Sequence, residues 1–129
     1  MKLCSGQCKY LLAVYELGKT KKTVRSVDIA NKLSVTRSSV SRMLKCMSRI
    51  GLIKSEYSLN VQLTDLGIEM GEKISEKFEI IYKFFFEILK LTEKEAYDQT
   101  IVFIASFPEK TVERLSKITK NTFIKRNQK

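Results

Sequence analysis

The residues from Val24 to Leu52, VRSVDIANKLSVTRSSVSRMLKCMSRIGL, constrain the fold more tightly than any other stretch of this 129-residue chain. Apolar residues recur there at helical spacing twice, with a short break between the two runs. In the first run Ile29, Ala30 and Leu33 share a face, Ser26 is placed to cap, and Asp28 in the opening turn suits the positive end of a helix dipole. Leu33-Ser34-Val35 forms the break. In the second run Val40, Met43, Leu44, Met47 and Ile50 make one stripe. Thr36 or Ser38 is placed to cap it, and Gly51 ends it. Two short helices joined by a tight turn are expected.

The opposite face of the second helix carries Arg37, Ser38, Ser39, Ser41, Arg42 and Lys45. Short hydroxyls among long cations suit a helix lying in a DNA major groove, where cations reach phosphates or guanine edges and hydroxyls reach phosphates or bases. The bland alternative is the solvated face of any small helical protein. The charge distribution argues against it. Of the formal net charge of +10, residues 1–60 supply +9, from twelve Lys and Arg against three acids. Between Leu17 and Ser55 Asp28 is the sole acid among ten basic residues. A polyanion-binding module requires such a field, because phosphate neutralisation supplies most of the non-specific affinity.

Around this pair, Gln7–Leu17 reads as an amphipathic helix closed by Gly18, with Lys19 to Thr23 as a basic loop. After it, Ile53, Ser55 and Tyr57 alternate with Lys54 and Glu56, and Val61 and Leu63 flank Gln62, which reads as a β-hairpin bent at Ser58-Leu59-Asn60. A hairpin after a recognition helix is a wing, and Lys54 on it is a candidate phosphate contact. Lys22, Arg25 and Lys45 are further phosphate candidates, and Ser26 and Thr36 complete the candidate DNA-binding set.

Thr64 is placed to cap a long helix from about Asp65 to about Leu89, with Leu66, Met70, Ile74, Phe78, Ile81, Phe85 and Ile88 at three-or-four spacing. A further helix is expected from Thr92 to Phe107, punctuated by Pro108, and a last one from Thr111 to Thr119 before a frayed basic tail. The fold class is mainly α with an α+β wing. Residues 1–64 form a winged helix-turn-helix and residues 65–129 a helical dimerisation domain. Phe84, Phe85, Phe86, Ile101, Phe103, Ile104 and Phe107 are more apolar surface than short helices hide, which implies a homodimer; two-fold symmetry would set two recognition helices about 34 Å apart on an inverted repeat of double-stranded DNA.

These residues resemble a family. YLLAVYEL, VRSVDIANKLSVTRSSVSRMLKCMSRIGLI, VQLTDLG, the long helix ending FFFEIL and the later TVERL are together similar to the diphtheria-toxin-repressor family of iron- and manganese-responsive repressors, in its two-domain, manganese-regulator branch. The resemblance implies a repressor whose DNA binding is controlled by manganese or iron(II). Its ligand positions fall here on Lys9, Leu12, Phe78, Ile101, Ile104 and Ala105, and the chain has no histidine. These residue types do not suit such a metal. No cofactor is therefore expected, although Glu79, Glu95 and Asp98 remain conceivable oxygen ligands.

Cys4 and Cys8 are four apart and share a face if the first helix extends that far back, so a redox pair is an alternative to incidental thiols; Cys46 reads as a small core residue. Three cysteines without scaffold spacing imply a reduced, cytoplasmic protein, and no apolar run is long enough to cross a membrane. No histidine base, glycine-rich phosphate loop or paired-carboxylate motif stands out, so an enzyme is not expected. The rival reading is a winged-helix protein-interaction module, or a regulator answering to thiol chemistry or to metal held by other ligands.

Overall fold

A computed structural model describes residues 1–127. Six α-helices follow in order: α1 (Ser5–Thr20), α2 (Ser26–Leu33), α3 (Arg37–Arg49), α4 (Asp65–Lys83), α5 (Glu93–Ser106) and α6 (Glu109–Asn127). A π-helical turn, Phe84–Ile88, continues α4. The chain divides into two compact units, Gly6–Lys73 and Met1–Ser5 with the residues from Ile74 onward.

The first unit holds the helix pair. Leu11, Leu12, Ile29, Val40, Leu44, Met47 and Leu52 are all buried there. The turn between α2 and α3 closes when Ser34 enters the left-handed region (φ 54°) and the Val35 N–H reaches back to the Ala30 carbonyl at 3.1 Å. That six-residue closure satisfies carbonyls that α2 would otherwise leave open. Ser26 does not cap α2. Arg25 takes the cap position, and its backbone N–H donates to the Asp28 carboxylate at 2.9 Å. At α3 the choice falls on Thr36, whose hydroxyl accepts the Ser39 N–H. Gly51 follows α3 with φ at 84°.

Several boundaries differ from expectation. α1 passes through Gly18 to Thr20. Lys19 lies over the Tyr15 ring at 4.6 Å and the Lys21 N–H donates to the Leu17 carbonyl at 2.9 Å, so the last turn is held despite the glycine. The hairpin shrinks to a single antiparallel bridge between Ile53 and Leu63, with no named strand among the described residues. Beyond that bridge the return segment bonds elsewhere. Val61 N–H donates to the Val24 carbonyl at 2.7 Å, and the Asn60 side chain accepts the Val24 N–H at 2.9 Å. The wing is thus a loop pinned to the segment before α2.

α4 enters the first unit on its glycines. Gly67 and Gly71, one turn apart, are both buried, whereas Leu66 is exposed. A Cβ at Gly67 would collide with the Leu52 carbonyl, and one at Gly71 would stand 2.9 Å from the Tyr15 ring. Thr64 caps the helix by accepting the Gly67 N–H at 3.1 Å while donating to the Gly51 carbonyl.

In the second unit Ile81, Phe103 and Val112 form a core against which Phe85, Ile104 and Leu115 pack. Ile101 is also buried, so much of the apolar surface counted in the sequence is hidden within the unit; Phe86, Leu89, Val102 and Phe107 remain exposed. The π-turn closes with the Leu89 N–H on the Phe84 carbonyl, five residues back. Across it Phe86 stacks on Tyr82 while Phe85 meets Phe103 edge-on. Thr92 and Glu95 cap α5 reciprocally. α6 runs on to Asn127 rather than fraying after Thr119. Phe123, with Lys83 and Arg126 over its ring at 5.8 and 5.5 Å, ties the extra turns down.

Candidate nucleic-acid interface

α3 buries Val40, Leu44 and Met47. At 100° per residue, the direction opposite that stripe belongs to Ser38, Arg42, Lys45 and Arg49, spaced i, i+4, i+7 and i+11. All four are exposed. Arg37 and Ser41 are exposed on the flank of this stripe. Ser39 faces the other flank, half-buried, and its hydroxyl is engaged: Thr36 Oγ1 lies 2.9 Å away and Arg42 Nη2 3.5 Å away. Ser39 thus steadies the start of α3 and leans on the Arg42 side chain. The Ser38 hydroxyl lies 3.1 Å from Thr36 Oγ1, so Thr36 is the hub of the first turn.

Arg49 was not among the residues singled out from the sequence. The signal was present: it falls on the same 3.6-residue phase as Ser38, Arg42 and Lys45, just before Gly51.

Ion pairs near this surface take up other cations. Among the described residues Lys21 pairs with Asp28 and Lys32 with Glu16, each at 3.1 Å. Arg37, Arg42, Lys45, Arg49, Lys54, Lys22 and Arg25 make no ion pair among the described residues. Lys22 is exposed in the loop before α2, Arg25 is exposed at the α2 cap, and Lys54 is exposed beside the Ile53–Leu63 bridge. Ser26 is half-buried in the first turn of α2. Beneath α3, Tyr10 of α1 is buried; burial pushes its phenol up, and the Arg42 guanidinium partly offsets that.

The positions to which the resemblance assigns metal ligands are occupied by other chemistry. In the first unit Leu12 is fully buried and Lys9 half-buried. In the second, Phe78 stacks on Tyr82 at 5.6 Å and meets the Tyr97 ring edge-on at 5.2 Å. Ile101 and Ala105 are buried, and Ile104 packs on the Ile81 core. None of the six is a carboxylate, imidazole or thiol. Glu79 and Glu95 are exposed, and Asp98 is held by Lys94 at 3.0 Å. Among the described residues no three His, Cys, Asp or Glu side chains gather as a metal would need. The side chains at these six positions do not suit manganese or iron.

The proposed thiol pair also changes. α1 begins at Ser5, which leaves Cys4 outside it and exposed, while Cys8 is buried and Cys46 half-buried. Among the described residues no helix is long and apolar enough to cross a membrane.

A helix-turn-helix whose second helix is cationic, unpaired and open to solvent defines a protein of the helix-turn-helix DNA-binding class. Residues 2–59 match the family model described as the iron dependent repressor, N-terminal DNA binding domain. An uncharacterized HTH-type transcriptional regulator of Methanocaldococcus jannaschii is 30% identical over 107 residues, covering 82% of this chain and 86% of that protein. The chain belongs to the iron-dependent repressor family. Among solved structures, the manganese regulator SloR superposes with a TM-score of 0.76 at 26% identity, over 88% of this chain and 53% of SloR. This chain therefore spans about half of SloR. A hypothetical protein from Sulfolobus solfataricus shares the fold over 90% of this chain and 88% of its own, with a TM-score of 0.60 at 20% identity.

Proposed function

We propose that the protein is a transcriptional regulator, acting as a repressor, that binds an inverted repeat of double-stranded DNA as a homodimer without a metal switch. The observation that carries this reading is the outward stripe of α3, whose cations have no ion-pair partner among the described residues. Ser38, Arg42 and Lys45 enter the major groove, with Arg37 and Ser41 at its edge and Arg49 on a flanking phosphate. Lys22, Arg25 and Lys54 contact phosphates, and Thr36 with Ser39 fixes the first turn of the reading helix. Residues 1–64 act as the DNA-binding domain, and residues 65–129 as the dimerisation domain. Phe86, Leu89, Val102 and Phe107, exposed in the second unit, are the apolar surface on which a second copy would close.

Phe78, Ile101, Ile104 and Ala105 stand where the family places metal ligands, and apolar packing there carries none of the repulsion that clustered carboxylates impose on an empty site. DNA binding is accordingly constitutive with respect to manganese and iron. The test is fluorescence anisotropy on DNA from upstream of the protein's own gene, in chelator and then with manganese added. Salt-sensitive binding in chelator, unchanged by metal, supports the reading. Binding that appears only with metal overturns its metal-independent part, and no salt-sensitive binding in either condition overturns the DNA part. Sedimentation at micromolar concentration tests the dimer against the 14.9 kDa monomer.

A further inference from the structure

The second half of the chain looks charge-neutral only in sum. Residues 65–108 carry nine acids and five lysines, a balance of −4. α6 carries six Lys and Arg against Glu109 and Glu113, a balance of +4. The positive charge of this half is therefore gathered on one helix. One side of that helix faces α4 across a groove of about 580 Å³.

The walls of the groove are amphipathic. Ile80 of α4 offers an aliphatic side chain, and the lysine and arginine stems beside it are methylene surface. Lys77 from α4 and Lys110, Arg114, Lys117 and Lys120 from α6 line it too. Glu76 and Glu113 oppose them, which leaves the groove at +3. Lys77 is partly answered by Glu109 at 3.7 Å; the four α6 cations have no ion pair among the described residues. The volume lies within the range of small-molecule sites, about 300–1,000 Å³. Aliphatic surface beside a surplus of cations is complementary to a molecule with an apolar body and an anionic head.

We infer that the α4–α6 groove binds a small organic anion of this kind, with a carboxylate or phosphate head and an aliphatic or aromatic body. The proposed DNA contacts belong to residues of the first unit, whereas every residue lining this groove belongs to the second. An acidic peptide or the DNA backbone would also meet the cations. A linear polyanion, however, has no use for the aliphatic surface, and the two carboxylates would repel it along the groove.

The reporter is 1-anilinonaphthalene-8-sulfonate, an aromatic anion whose fluorescence rises in apolar surroundings, added to the full chain without DNA. Saturable binding of one dye per chain is expected. Decanoate and decyl phosphate displace it; decanol and inorganic phosphate at the same concentration do not. Lys117→Glu with Arg114→Glu should weaken dye binding at least tenfold, with the helical circular dichroism unchanged. Should that pair perturb folding, Lys110→Gln with Lys120→Gln, both at exposed positions, should still weaken binding several-fold. Dye binding that survives these substitutions within twofold, as it would on the Val102–Phe107 surface, overturns the inference. So does displacement by decanol equal to that by decanoate. The dye assay contains no DNA, so its failure is separate from failure of the DNA reading.

Discussion

Gly67 stands so close to the carbonyl oxygen of Leu52 that no side chain fits between them. α4 meets the segment after α3 at this point, and Thr64 locks the same corner by bonding both the Gly51 carbonyl and the Gly67 N–H. Gly67→Ala should therefore destabilise the protein by about 1–3 kcal/mol, the usual cost of overpacking, in spite of alanine's better helix propensity. Urea unfolding followed by circular dichroism measures it. A gain in stability would mean that the corner opens at little cost.

Arg42→Ala and Arg49→Ala should separate the roles along α3. A loss of about 1–3 kcal/mol with relaxed preference at one operator position is expected where the side chain reads a base. Equal weakening on all sequences, with the salt slope lowered by about one, is expected where it neutralises a phosphate. Arg42 leans on Ser39 and is expected to be the base reader; Arg49, two residues before Gly51, the phosphate contact. Anisotropy titrations on operator and scrambled DNA at several salt concentrations distinguish the two patterns.

Thr119 offers a stability test of the opposite sign. Its side chain is 1% exposed, and its hydroxyl has no hydrogen-bond partner among the described residues. A buried hydroxyl without a partner costs stability that an isosteric methyl does not. Thr119→Val should raise the unfolding free energy by about 1 kcal/mol, read from the urea midpoint. A loss of stability would mean that the hydroxyl has a water or other partner.

Two cap carboxylates should contribute to the acid response of stability. The Arg25 backbone N–H, then the Lys21 ammonium, hold the Asp28 carboxyl below its ordinary value. The Thr92 hydroxyl and then the Thr92 N–H do the same for Glu95. Carboxyls lowered by folding contribute stability above their unfolded values, about 4, and lose it as pH falls through the lower folded ones. The melting temperature should therefore drop as pH is taken from about 5 to below 4. Asp28→Asn and Glu95→Gln should each flatten part of that drop. An unchanged acid profile in both variants would assign the sensitivity to other carboxyls.

The melting temperature should not respond to micromolar manganese or to its removal by chelator. A metal bound well above its dissociation constant adds several kcal/mol, as at a thousandfold excess, about 4 kcal/mol. Phe78→His alone is not expected to create such a response, because the Ile101, Ile104 and Ala105 positions would still offer no ligand. A metal-dependent shift in the unmodified protein would reveal ligands among carboxylates such as Glu79 or Asp98.

The helix pair was legible because its information is local. Apolar phase, a threonine cap and a closing glycine all lie within one or two turns of what they specify, so α2, α3 and the start of α5 after Thr92 fall where the sequence puts them. The wing was not, because its shape depends on Val24, nearly forty residues before Val61 and bonded to it. Gly18 misled for a related reason: its helix is held by Lys19 on Tyr15, a contact that outweighs one residue's propensity. The end of α6 depends on Lys83 reaching Phe123 from another helix. At the candidate interface the serines and arginines of α3 were visible from composition, whereas Arg49 needed the helical phase to be carried one turn further.

The π-helical turn at Phe84–Ile88 has a consequence for the end of the long helix. Each residue of an α-helix advances about 100°, so one residue in excess turns everything after it by roughly that angle. This is the geometry that a single inserted codon leaves in a regular helix. Because the turn is the last of the long helix, that rotation sets the directions in which Phe84, Phe85 and Phe86 leave it.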